Sequence, residues 1–493
     1  MSSLEGGFPP VDFETWRRKV EADLRGADFD EALAYGGLDD LGLRALEHES
    51  TAPTASDPGG LPGVAPFTRG AHIPGDGPAA WKVALTLDTA DPAVARRHLF
   101  HDLSLGVGSL WLRLGSPGRD GGVGIRGLED FRTLLDGVDL SIVDVMLDAG
   151  DPRLAAALLD KLVDDPSALS GSLAGDPIGA WASGRVRDLD AAFERLAAAT
   201  AWCRGRAPGL GAFHADGVLW HDKGASPVQE LALTLAATVE TLRRLDGFRI
   251  EPSDFAAQLR AVFAVGRRNF LEIAKLRAWR LLLSKVLKAG GVDDAAPRLA
   301  VAPGRIHLTR VDPWVNLLRA TAQTFTAACA GADLIVTPRY DQLWGDGDAE
   351  ARSRRYSINL QHVLAQEAHL GRVADPAGGS WALERMTDDL ARSAWDLFRD
   401  YEAAGGLVAC LRAGRVHADL RATVAERRVR LAKRLDPIIG VSYFPNLDER
   451  RPAGEPPPPT TVDRADGSGA AASPLIEPAL VDSVAAALVD GAP

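Results

Sequence analysis

GLGAFHADGVLWHDKGASPVQELALTL, residues 209–235, reads as a short apolar run, a turn carrying Gly and His, and the opening of a helix. Ser226 is the expected N-cap of that helix, Pro227 sits at its first position and Glu230 lies in its first turn. Leu231, Leu233, Leu235, Val239 and Leu242 give it a broad apolar face. A strand, polar groups at its carboxyl end and then a helix make the unit of a parallel α/β sheet or barrel. In such folds the chemistry collects at the carboxyl ends of the strands.

The same order repeats on either side. Short β-rich runs occur at 81–87, 109–115, 141–147, 170–175, 209–215, 259–265, 304–310 and 333–339. Amphipathic helical stretches separate them, at 91–106, 127–137, 151–163, 188–203, 226–245, 268–289, 312–331 and 353–370. Eight strands alternating with eight helices predict a (β/α)8 TIM barrel; a doubly wound sheet shares the local pattern. Residues 1–80 form an N-terminal extension, with a helix at 11–35 and a Pro-rich, apolar loop at 60–70. The barrel with its flanking helices (385–404 and 407–434) fills 81–435. Residues 436–493 turn Pro-rich and then Gly/Ala-rich, as a linker and tail do, ending in a run that a short amphipathic helix would also fit.

Composition narrows the function class. The 493 residues are 46% hydrophobic and 25% charged, as in an ordinary globular protein. No apolar run is long enough to span a bilayer, and no secretory signal opens the chain. Cys203, Cys329 and Cys410 stand far apart, which points to a reducing cytoplasm and away from a metal site. A net charge of −12 disfavours nucleic acid as the main partner.

Five segments in order resemble the barrel domain of methylmalonyl-CoA mutase and related acyl-CoA mutases. They are PGVAPFTRG (62–70), GASPVQELALTLA (224–236), FLEIAKLRAWRLL (270–282), DPWVNLLRATAQTF (312–325) and VADPAGGS (373–380), followed by an EAAGG turn at 402–406. Within the family the likeness is to the small subunit of heterodimeric bacterial mutases, a non-catalytic copy of the catalytic chain. That resemblance implies an adenosylcobalamin-dependent radical rearrangement, with the CoA thioester threaded along the barrel axis. The protein then has to hold the substrate dry and polarise its carbonyl.

Catalytic relatives carry an Arg-Gln-Tyr triplet after the Trp of the first strand; here the matching Trp81-Lys82-Val83-Ala84-Leu85-Thr86 puts Ala84 and Thr86 at the Arg and Tyr positions. Counting back from Gly224, Gly217-Val218-Leu219 fills their fifth-strand Gly-Tyr-His, so Leu219 stands where the histidine would be. An Arg-Leu-Ser on the sixth strand matches Gln258-Leu259-Arg260. None of the ten histidines follows an Asp at the spacing of the family's cobalamin motif, Asp-x-His-x-x-Gly. No catalytic residue and no cofactor ligand is therefore expected on this chain. The cofactor of the complex belongs to the partner, the catalytic large subunit, and acyl-CoA meets the chain only through that complex. A catalytic barrel served by a cobalamin domain on a separate chain is the runner-up, and a barrel recruited as a chaperone is a third possibility.

A few polar residues keep a functional reading. His221, beside Asp222 and Lys223, would be a residual acid/base group at a strand end; the plainer expectation is a histidine bonded to loop backbone. Thr68 and Arg69 resemble the segment lining the CoA entrance, where Arg69 would meet a phosphate or pack at a subunit interface. Gly378-Gly379-Ser380 reads as a tight turn before it reads as a phosphate cradle. Glu272, Lys275 and Arg277 are expected on a solvated or ion-paired helix face.

Overall fold

The computed structural model describes residues 11–33, 36–41, 44–48, 59–71, 73, 81–115, 121–296, 298–344 and 350–446. The expected tail lies outside them, apart from 436–446. Eight parallel strands close into a barrel in sequence order: β1 (Lys82–Leu87), β2 (Ser109–Arg113), β3 (Asp144–Asp148), β4 (Gly171–Gly175), β5 (Leu210–Asp216), β6 (Leu259–Phe263), β7 (Arg298–Val301) and β8 (Leu334–Val336). Strand β8 pairs with β1, with Lys82 opposite Leu334 and Ala84 opposite Val336. The TIM barrel expected from the alternation is the fold.

Helices α1 (Phe13–Asp23) and α2 (Phe29–Leu33) precede the barrel. Around it run α3 (Pro92–Ser104), α4 (Leu128–Leu135), α5 (Pro152–Leu162), α6 (Pro177–Ala182), α7 (Leu189–Arg206), α8 (Gly217–Asp222), α9 (Pro227–Asp246), α10 (Pro252–Gln258), α11 (Asn269–Ala289), α12 (Pro313–Cys329) and α13 (Glu350–His362). Beyond it come α14 (Trp381–Ala403), α15 (Leu407–Arg412) and α16 (Arg415–Ala432). Helix α14 lies across α9 and α11, outside the barrel as expected. Those two helices are consequently buried on both sides. The predicted start of α9 is a full capping box: Gln229 N donates to Ser226 Oγ (3.2 Å), and Ser226 N donates to Gln229 Oε1 (3.0 Å).

Two expectations fail locally. The seventh strand is Arg298–Val301, not 304–310, where Arg305–His307 form a single 3-10 turn. Pro303 and Gly304 break the chain between them, and the alternation of GRIHLTR imitates a strand beyond that break. The helices expected at 11–35 and 407–434 each split in two. Gly26 (φ 94°) and Gly414 (φ 73°) take left-handed conformations that end one helix before the next begins. The weak β signal of SGSLAG has its own cause. A Cβ on Gly171 would lie 2.0 Å from the Val145 carbonyl oxygen, so β3 and β4 approach only because no side chain stands there.

Candidate functional site

Strand register carries alternate residues into the lumen. Thr86 pairs with Trp111 and Trp111 with Met146; Arg113 pairs with Asp148, His214 with Arg260, and Asp216 with Val262. At mid-height Ala84, Met146, Val262, Ala300, Leu334 and Val336 form one buried apolar cluster, with Trp111 packed against it. This apolar waist separates two cavities of about 400 Å³ each, and Met146 lines both. The upper cavity opens at the carboxyl ends of the strands. It is lined by five aspartates (Asp88, Asp148, Asp176, Asp216, Asp222) as well as by arginines, Lys223 and His214.

The aspartates arrive by a common device. Asp176 and Asp216 sit where a strand ends and a helix begins, and each caps the helix that follows. Asp176 Oδ1 accepts from Gly179 N at 2.8 Å, and Asp216 Oδ1 accepts from Leu219 N at 3.1 Å. Burial pushes the Asp176 carboxyl up to about 6. Burial, with Asp176 adding repulsion, raises Asp216 to about 7. Burial drives the His214 imidazole down to about 4, and its Nε2 has no partner. Sequence reasoning missed these three; the available signal was the Asp-Pro and Asp-Gly steps that close the β4 and β5 segments.

The positions singled out by resemblance fall in several places. Ala84 lies fully buried in the waist, and Thr86 and Leu219 line the upper cavity. The triplet Gly217-Val218-Leu219, expected at the end of the fifth strand, is instead the first turn of α8, because β5 closes at Asp216. Thr68 and Arg69 line neither cavity. Arg69 Nη2 is 3.4 Å from Glu384 Oε1, while Arg277 Nη2 holds the other oxygen of that carboxylate at 2.6 Å. Asp375 bridges the same two arginines. Gly378 N donates to Asp375 O at 2.9 Å, and Gly379 (φ 80°) completes the tight turn that was expected.

His221 is buried behind the lumen wall. Its Nδ1 lies 3.2 Å from Glu230 Oε2 and its Nε2 lies 2.8 Å from His307 Nε2, so its partners are side chains and not loop backbone. Lys275 Nζ reaches Glu230 Oε2 at 2.8 Å and Glu272 Oε2 at 2.6 Å, and donates to the Ala264 carbonyl at 2.9 Å. Of the solvated or ion-paired helix face expected for Glu272, Lys275 and Arg277, the ion pairs are present but the face is internal: Lys275 is 0% exposed and Arg277 1%. Helix α14 covers Arg277, and α9 with the end of β6 encloses Lys275, which one helix's own sequence cannot reveal. Burial pushes the Glu230 carboxyl upward, but Lys275 and His221 outweigh it and hold it below the usual range. Burial, with His221 alongside, keeps His307 neutral. One imidazole must therefore donate to the other. Among the described residues, no three His, Cys, Asp or Glu groups are arranged to hold a metal ion, and no helix is long and apolar enough to cross a membrane.

Residues 44–466 match the family described as Methylmalonyl-CoA mutase. The chain is 41% identical to the methylmalonyl-CoA mutase small subunit of Streptomyces virginiae, over 92% of this chain and 74% of that protein. It is 33% identical to the methylmalonyl-CoA mutase small subunit of Propionibacterium freudenreichii subsp. shermanii, over 91% and 71%. A probable methylmalonyl-CoA mutase small subunit of Mycobacterium tuberculosis is 36% identical over 83% of this chain and 66% of its own length.

Proposed function

The chain belongs to the methylmalonyl-CoA mutase family, and we propose that it is the non-catalytic small subunit of a mutase heterodimer in the cytoplasm. In that complex a catalytic large subunit interconverts methylmalonyl-CoA and succinyl-CoA, a step of propionate metabolism, and binds the adenosylcobalamin that supplies the radical. The observation that carries this reading is the apolar waist. Met146, Val262, Leu334 and Trp111 stand where a CoA thioester would have to thread. Ala84 and Thr86 offer neither the guanidinium nor the phenol that would grip the acyl group, and Leu219 offers no donor to a thioester oxygen.

The three histidines at and behind the lumen wall offer the cofactor no ligand. His221 and His307 are bonded to each other, and the Nε2 of His214 is enclosed within the lumen. None of the three presents a nitrogen to a corrin cobalt. What the barrel does offer is surface. Along α12, Trp314, Leu318 and Phe325 form an uncharged exposed stripe, 56%, 68% and 38% accessible, that suits burial against a partner. Such an interface stabilises both chains by mass action.

Co-expression with the large subunit should raise that subunit's soluble yield and melting temperature. The purified chain alone should neither isomerise methylmalonyl-CoA nor titrate with adenosylcobalamin. Saturable cobalamin binding or turnover by this chain alone would overturn the non-catalytic reading, and an unchanged partner would overturn the structural one.

A further inference from the structure

The lower cavity, at the amino ends of the strands, has no part in the reading above. Its walls include Lys82, Asp144, Ser170, Arg260, Arg298 and Asp333. Arg260 and Arg298 are in register on β6 and β7, so their side chains lie side by side on one face. Arg260 is buried, 7% exposed. Its Nη1 donates to the carbonyls of Ala257 (2.9 Å) and Leu259 (3.0 Å) and its Nη2 to that of Gly209 (3.2 Å), while Nε has no partner. Gly211 makes room for it, since a Cβ there would lie 2.7 Å from Arg260 Cγ.

Two features mark this cluster as incomplete. Burial, with the Arg298 charge next to it, brings the Arg260 guanidinium down to about 10, so the pair is held together against repulsion. Arg298 has no hydrogen bond or ion pair among the described residues. The nearby acids are already engaged. Asp144 is paired with Lys82 (2.7 Å) and accepts from the Ser170 hydroxyl, and Asp333 Oδ2 accepts from Leu299 N at 2.7 Å.

We propose that the lower cavity binds a small oxyanion of the phosphate class, seated between Arg260 and Arg298 with Lys82 beside it. The Arg298 guanidinium, the Nε edge of Arg260 and the Lys82 ammonium come to the cavity from three strands. A tetrahedral oxyanion can face all three, whereas a carboxylate presents two oxygens in one plane. The waist stops the ligand from extending up the lumen, which limits it to free phosphate or a short phosphomonoester.

The test is calorimetric titration of the full chain with inorganic phosphate, glycerol phosphate or acetate, at ionic strength fixed with chloride. Phosphate should bind saturably at one site and raise the melting temperature, and acetate should not. The glycerol phosphate arm separates the sources: binding as tight as phosphate assigns the site to monoesters, and weaker binding assigns it to free phosphate. Arg298→Gln removes an exposed residue without described partners, so the fold should survive. It should weaken phosphate binding about tenfold, the loss expected for a hydrogen bond to a charged group. Arg298→Lys should recover part of that loss. No saturable phosphate binding, equal affinity in wild type and Arg298→Gln, or acetate binding as well as phosphate would each overturn the proposal.

Discussion

Two polar groups meet back to back across α8, and they are built on opposite terms. On the lumen side, Asp176, Asp216 and His214 crowd like charges and an unpartnered imidazole into the upper cavity. On the outer side, His221, Glu230, Lys275, Glu272 and His307 form a chain in which each residue pairs with another, leaving Glu230 Oε1 and His307 Nδ1 over. Asp216 caps α8 at its start and His221 lies one turn further on, so a six-residue helix joins the two regions. The contrast teaches where the fold depends on its polar groups. Those behind the wall tie α8, α9 and α11 to the turn at His307, whereas those in the lumen border an open cavity.

The sharpest way to break the comparison is Lys275→Met. Methionine keeps much of the volume but leaves the Glu230 and Glu272 carboxylates buried beside each other. Breaking a buried pair by removing one partner costs about 3–5 kcal/mol. Urea unfolding at pH 7 should read a loss of that size, and adding Glu230→Gln should return part of it. A loss under about 1 kcal/mol would mean the network is not structural.

On the lumen side the expected sign is reversed. The Asp216 carboxyl is raised from 3.8 to about 7 in the folded chain. Below about pH 4 both folded and unfolded states carry the proton, and there is no penalty. Between about pH 4 and 7 the folded state alone retains it, so stability falls as pH rises, and above about 7 the loss is complete. Asp216→Asn keeps a cap on α8 and removes the ionisation. It should therefore lie within about 0.5 kcal/mol of wild type at pH 4.5 and exceed it at pH 8 by about 2 kcal/mol. The full shift would be worth more at about 1.4 kcal/mol per pH unit, but access of water to the cavity reduces it. Parallel melting curves of the two proteins at both pH values would refute this.

How much of this could be read from residues alone differs between the same two regions. The strand–helix alternation was legible because apolar periodicity is local, and the start of α9 was legible because its cap is written in consecutive residues. Strand β7 was not, since RLAV is four residues long and a neighbouring run alternates better. The apolar side chains of Ala84 and Leu219 could be read in sequence. The apolar waist could not, because its members come from β1, β2, β3, β6, β7 and β8 and meet only when the barrel closes. Lys275 looked like surface for the same reason: the groups that enclose it come from α9 and the end of β6, and meet it only in the folded barrel.

His221 carries the smallest expected effect and separates the regions most finely. At the carboxyl end of a barrel strand, a histidine with a carboxylate partner has the form of a catalytic base. If His221 donated to a thioester oxygen, its removal would lower turnover of the proposed mutase complex about a hundred- to a thousandfold. The geometry gives it another task. Its Nδ1 and Nε2 face Glu230 and His307, and it lines neither lumen cavity. His221→Ala leaves Lys275 on Glu230, so the loss should be near that of a single hydrogen bond, about 1 kcal/mol. Steady-state turnover of the assembled complex should stay at the wild-type rate. Leu219→His, which returns an imidazole to the lumen side of the same helix, should leave the isolated chain inactive, because Ala84 and Thr86 still provide no grip on the acyl group. A fall of a hundredfold for His221→Ala with the complex intact would move His221 from the wall into the active site and reverse the comparison.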